Sequence, residues 1–153
     1  MDHEFFMKKA LGLAKKGQGY TSPNPMVGAV IVKDGEVKGK GYHQFIGQAH
    51  AEVNAIRNAS QQLQSPHLTG AVIYSNFEPC PMCLAAIYWA DIRALYFSKG
   101  RSEAEKIGFM DKHLYHEFAM EEDKREIRTS QLVLPEMESL IGEWMGLEGK
   151  NLY

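Results

Sequence analysis

Both cysteines of the chain stand three positions apart, in Pro79-Cys80-Pro81-Met82-Cys83, and upstream of them lies His50-Ala51-Glu52. A Cys-x-x-Cys pair serves as a redox dithiol, as half of a four-cysteine structural metal site, or as part of a catalytic metal site. With only two cysteines, one chain cannot make the four-cysteine site. The redox use needs no further residue and stays open on the pair alone. The upstream histidine and glutamate weigh towards metal. If Cys80 caps a helix and Pro81 takes its first position, the two thiols share one face of the first turn. A helix N-terminus favours negative charge, so both should ionise readily. Zinc takes such thiolates together with a histidine, here His50.

Three protein ligands leave one position of a tetrahedral ion open, which is the pattern of a catalytic site. The expected cofactor is one Zn2+ per chain carrying a water or hydroxide. Glu52 is then the unligated acid that takes the water's proton and passes it to a leaving group. On a regular helix the side chains of His50 and Glu52 would point about 200° apart. Both face one ion only where the chain is entering its first turn. His-x-Glu followed by Pro-Cys-x-x-Cys is the pattern of zinc-dependent nucleobase deaminases.

The elements that must position these residues are legible. Residues 2–16 read as an amphipathic helix with Asp2 at its N-cap and Phe5, Phe6, Leu13 and Ala14 on one face. Thr21-Ser22-Pro23-Asn24-Pro25-Met26 reads as a loop. Two extended runs flank Asp34-Gly35, a hairpin signal. A helix over 50–63, a buried strand over 71–75, a helix over 81–88 and a strand over 94–98 follow. Helical pieces near 102–107 and 111–119, a last short strand at 132–134 and a helix over 136–146 complete the chain. This order predicts an α/β fold, a three-layer α/β/α sandwich with a mixed sheet. Helices that follow strands on one side of such a sheet bring their N-termini together, so His50 and Cys80 should converge.

A length of 153 residues fits one domain spanning 1–153. With 44% hydrophobic and 24% charged residues, the composition argues against disorder. The net charge of -2 gives no global attraction to a polyanion, so nucleic acid is not an expected partner. Lys8, Lys9, Lys15 and Lys16 read as a solvated helix face. The start lacks the pattern of a signal peptide, and no run is long and apolar enough to span a membrane. The expectation is a cytoplasmic protein whose cysteines serve metal chemistry.

On these motifs the sequence resembles the cytidine and deoxycytidylate deaminase superfamily over essentially its whole length. The resemblance implies a five-stranded mixed sheet and an enzyme that replaces an exocyclic amine with oxygen and releases ammonia. The second half is most similar to bacterial guanine deaminases, through residues 78–90, residues 103–118, and a tail with Trp144 and Tyr153. That likeness implies that Asp111 assists proton transfer. It also implies a homodimer in which the segment of about 135–153 is exchanged, with Tyr153 closing the partner's pocket. The bland alternatives are a helix N-cap for Asp111 and a frayed end for Tyr153.

Residues 21–35 and 41–52 look instead like the deaminase domain of riboflavin synthesis, which acts on a diaminopyrimidine phosphate. Guanine deaminases carry a base-holding asparagine where this chain has His43, and the riboflavin-type loop implies that Asn24 supplies the amide. Asn24, His43, Ala51, Trp89 and Tyr153 are thus the candidate substrate contacts, with Trp89 read as core first and pocket wall second. Glu78 is read as structural, tying its loop by hydrogen bonds. The expected function is hydrolytic deamination of a small base, guanine first. A diaminopyrimidine or nucleotide deaminase and a transfer-RNA adenosine deaminase are the alternatives, and a zinc-stabilised binding module or a thiol redox protein the non-deaminase readings.

Overall fold

The protein is described by a computed structural model, which covers residues 2–150. The chain divides into two compact units, Met1–His116 and Glu117–Tyr153. In the first, α1 (His3–Ala14) precedes the hairpin of β1 (Gly28–Lys33) and β2 (Glu36–Tyr42). Then come α2 (Ala51–Leu63), β3 (Val72–Phe77), α3 (Pro81–Trp89), β4 (Ala94–Lys99) and α4 (Arg101–Lys106). A further helix, α5 (Lys112–Ala119), runs across the division.

The sheet order is β2-β1-β3-β4. β1 is antiparallel to both neighbours and β3 is parallel to β4, so the sheet is mixed as expected. Alternation along the strands sorts the core into two faces. Val30, Val32 and Tyr74 pack with Phe6 of α1, while Ala29, Ile31 and Ile73 pack with Ala51, Ala55 and Ala59 of α2 and Ile87 of α3. Three layers result, and β1 is almost wholly apolar because both its faces are covered.

Asp2 caps α1 by accepting from the Phe5 amide at 3.0 Å. The buried stripe is Phe6, Ala10 and Ala14, and Phe5 is left exposed. Neighbouring helical residues diverge by about 100°, so Phe5 and Phe6 cannot both face the sheet. Asp34 and Gly35 both have positive φ, 54° and 77°, the backbone of a two-residue hairpin turn that matches strand twist.

Gly41 decides where α2 begins. A Cβ there would lie 2.1 Å from the Ala51 carbonyl oxygen, so only glycine lets the helix settle on β2. The small residues of α2 complete that approach and fix its N-terminus beside the end of the strand.

In the second unit, a short helical turn at Glu122–Lys124 and α6 (Glu136–Gly146) are the regular elements after α5. The sheet has four strands, not the expected five. Residues 132–134 form no strand, and Leu132, Val133 and Leu134 are exposed. Their apolar run marks a segment that gains from burial, but a strand also needs a neighbour's backbone in register. Among the described residues no helix is long and apolar enough to cross a membrane.

Candidate active site

His50 and Cys80 are the N-cap residues of α2 and α3, and they share one backbone conformation: φ -66° and ψ 166° for His50, φ -65° and ψ 167° for Cys80. Neither side chain caps its own helix, so both project away from it. Pro81 takes the first position of α3, where its missing amide hydrogen costs nothing. Cys83 follows one turn later, fully buried. The donor atoms of His50, Cys80 and Cys83 all lie within 4.8 Å of one another, and Cys80 Sγ is 3.6 Å from His50 Nδ1. Zn–S of about 2.3 Å and Zn–N of about 2.0–2.1 Å at a tetrahedral angle imply an S···N separation of about 3.6 Å. Donor types and spacing therefore fit zinc.

Glu52 stands at the second position of α2, inside the first turn, which is how its side chain escapes the opposition to His50 expected on a regular helix. It is buried, and Ser75 Oγ of β3 donates to its Oε1 at 2.8 Å. Burial holds its carboxyl above the ordinary range. Cys80 is held well below the ordinary thiol range, first because Cys83 donates to it and then through His50. The same contact raises the Cys83 thiol, while the Cys80 sulfur raises His50.

A second set of contacts braces the loop before α3. The Glu78 carboxylate accepts from the Arg101 amide at 3.0 Å and from Arg101 Nε at 2.9 Å. The Arg101 guanidinium stacks 3.9 Å from the Tyr115 ring centroid, and Tyr115 Oη donates to the Pro79 carbonyl at 2.9 Å. Glu78 thus ties its loop as expected. Asp111 is buried just before α5, and its Oδ1 has no hydrogen-bond partner among the described residues. Burial first, then the negative charge of Cys80, pushes its carboxyl up.

One pocket opens onto His50, Glu52 and Cys80. Its other walls are Asn24, Pro25 and Val27 from the loop before β1, His43 after β2, Phe77 at the end of β3 and Glu78 after it, and Ala104 and Phe109. His43 is buried, its Nε2 lies 3.1 Å from Asn24 Nδ2, and its ring meets that of His50 edge-on at 5.0 Å. Burial lowers its pKa, and with Nδ1 facing the Ala49 carbonyl at 3.5 Å, Nε2 is the ring nitrogen left to accept from the Asn24 amide.

The fold therefore gathers His50, Cys80, Cys83, Glu52, Asn24 and His43. Ala51 is buried in the core and Trp89 is exposed at the end of α3, and neither lines the pocket. Tyr153 lies outside the described residues. Sequence reasoning passed over Ser75, Asn76, Arg101 and Tyr115. For the first two a signal existed: a polar pair inside an otherwise apolar strand. For Arg101 and Tyr115 there was none, since their partners are distant in sequence.

The family model of the cytidine and deoxycytidylate deaminase zinc-binding region matches residues 1–99. Over 157 aligned positions, covering both chains in full, the sequence is 38% identical to guanine deaminase of Bacillus subtilis (strain 168). The X-ray structure of Bacillus subtilis guanine deaminase superposes with a TM-score of 0.89 at 37% identity, covering 100% of this chain and 99% of that one. The riboflavin biosynthesis protein RibD of Escherichia coli (strain K12) is 45% identical over 98 residues, which is 60% of this chain and 25% of that protein.

Proposed function

This chain belongs to the zinc-binding cytidine and deoxycytidylate deaminase family, and from that premise we propose that it hydrolyses guanine to xanthine and ammonia. The observation that carries the reading is Glu52, a buried acid beside three zinc-type donors, in a chain similar from end to end to a guanine deaminase. Bound zinc supplies the Lewis acidity that activates water at neutral pH. His50, Cys80 and Cys83 hold it. Glu52, oriented by Ser75, takes one proton of the attacking water to the ring nitrogen next to the amine-bearing carbon, then carries the second to the departing amine, which leaves as ammonia. Asp111, with an unpartnered oxygen, is the second proton carrier. Asn24 has its amide nitrogen engaged by His43, which leaves its Oδ1 to accept from an N–H of the base.

The pocket argues for an uncharged base. Among the described residues that line it there is no lysine or arginine, and Glu52 and Glu78 are both carboxylates. The side-chain cation tied to its wall, Arg101, is already paired with Glu78, so a phosphate would meet no unpaired lysine or arginine there. The second reading, a diaminopyrimidine nucleotide deaminase, is favoured by the Asn24–His43 pair and by the higher identity to RibD over part of the chain.

The reading includes a cytoplasmic homodimer that exchanges the segment of about 135–153, with Tyr153 closing the partner's pocket. Metal-ligating free thiols suit a reducing compartment. Leu140, Ile141, Trp144 and Met145 of α6 are all exposed, apolar surface that a second copy would bury. The test is ammonia release from guanine by zinc-loaded protein near neutral pH. Release that disappears with Glu52→Ala supports the reading; release from the pyrimidine nucleotide alone replaces it with the second.

A further inference from the structure

Asn76 is a buried amide near the end of β3, next to Ser75 and on the opposite strand face. The ladder between β1 and β3 ends with Ala29 against Ser75, so Gly28 and Asn76 would be the next pair. There the side chain takes over from the backbone. Asn76 Oδ1 accepts from the Gly28 amide at 2.8 Å, and Nδ2 donates to the Met26 carbonyl at 3.0 Å. One side chain thus grips the chain on both sides of Val27. The Val27 carbonyl accepts in turn from the His43 amide at 2.9 Å. Asn24, Pro25, Val27 and His43 line the pocket, whereas Asn76 does not. The two roles need a donor and an acceptor on one short planar group, which asparagine has and aspartate lacks.

We propose that Asn76 is a positioning residue for substrate recognition: it holds residues 24–27 as a preformed wall, and so governs affinity for the base and not the rate of its conversion. The inference rests on reading this pocket as the base site. Asn76 points away from Glu52 and its Ser75 tether, so its loss leaves the reacting groups in place. Without it, the wall visits arrangements in which Asn24 and His43 do not face the base together, and binding must bear the cost of ordering it.

The test compares wild type, Asn76→Ala, Asn76→Asp, Asn24→Ala and the Asn76→Ala/Asn24→Ala double variant as zinc-loaded full chains. Asn76→Ala is expected to raise KM for guanine about tenfold, the weight of one well-placed hydrogen bond, with kcat and zinc content near wild type. Amide exchange across residues 24–28 should speed up. Added to Asn24→Ala, it should raise KM by no more than about twofold, because the contact it positions is already gone. Effects on KM that simply multiply, a fall in kcat with KM unmoved, or unchanged exchange would overturn the proposal. Should the alanine variant not fold, Asn76→Asp carries the test, since its carboxylate still accepts from Gly28 but cannot donate to Met26. If wild type releases no ammonia from guanine, the reading of the substrate fails, and exchange across 24–28 still decides whether Asn76 holds the wall.

Discussion

The proposed reacting side of the pocket is made of helix ends, His50 and Cys80 with Cys83 a turn away, while the proposed recognition side is made of connecting chain, residues 24–27 and His43. On the first side the backbone is set by local rules. Both caps adopt the same φ and ψ, and Pro81 and Gly41 leave little choice about where each helix starts. On the second side nothing regular holds the chain. Its geometry depends on Asn76 from β3 and on the bond between Asn24 and His43. Chemistry shared across a family can sit on element ends, where geometry repeats, and selectivity on connections, where single side chains reset it.

Four experiments sharpen or break this division. The largest effect belongs to Glu52→Gln, which removes the proposed proton carrier from the reacting side. We expect kcat to fall by about 10³-fold or more with zinc content unchanged, read by ammonia release and metal analysis. Retained turnover would remove Glu52 from the mechanism. Ser75→Ala removes only the tether to that acid. It should lower kcat about tenfold and leave KM nearly alone, and a rise in KM instead would mean that β3 serves both sides alike.

His43→Asn addresses the recognition side. It breaks the contact with Asn24 and should change KM about tenfold while kcat moves little. A large loss of kcat would show that the edge-on contact between His43 and His50 steers the metal ligand, and the division would fail there.

The smallest effect is thermal. Burial raises the Asp111 carboxyl above its unfolded value, so ionising it opposes folding. The stability associated with its protonated form is complete below the ordinary carboxylate range, near pH 4, and is lost as pH rises through the raised folded value. Asp111→Asn should therefore raise Tm by roughly 2–4 °C at neutral pH. That gain should vanish towards pH 4. A thermal scan with the same gain at both pH values would assign the effect to something other than the charge.

The two sides were not equally legible before folding. Cys80, Cys83, His50 and Glu52 stood out because their spacing is itself a geometric statement: i and i+3 at a capped helix start, and a histidine and an acid that meet only at a helix entry. Asn24 and His43 could be named only by resemblance, since nothing local says that they touch. The four-stranded sheet was missed because the apolar run at 132–134 shows a wish for burial, whereas a strand is defined by its neighbour.

The sequence by itself determined most of the elements, though not the strand expected at 132–134, and singled out the candidate donor set and the candidate acid, because turn residues, caps and periodicity act over a few positions. The tertiary structure alone decided that Ser75 orients Glu52, that Arg101 and Tyr115 brace the loop carrying Cys80, and that Asn76 holds the wall opposite. Those contacts join residues far apart in the chain, and hydrogen bonds between such partners exist only once the sheet and its covering helices have brought them within reach.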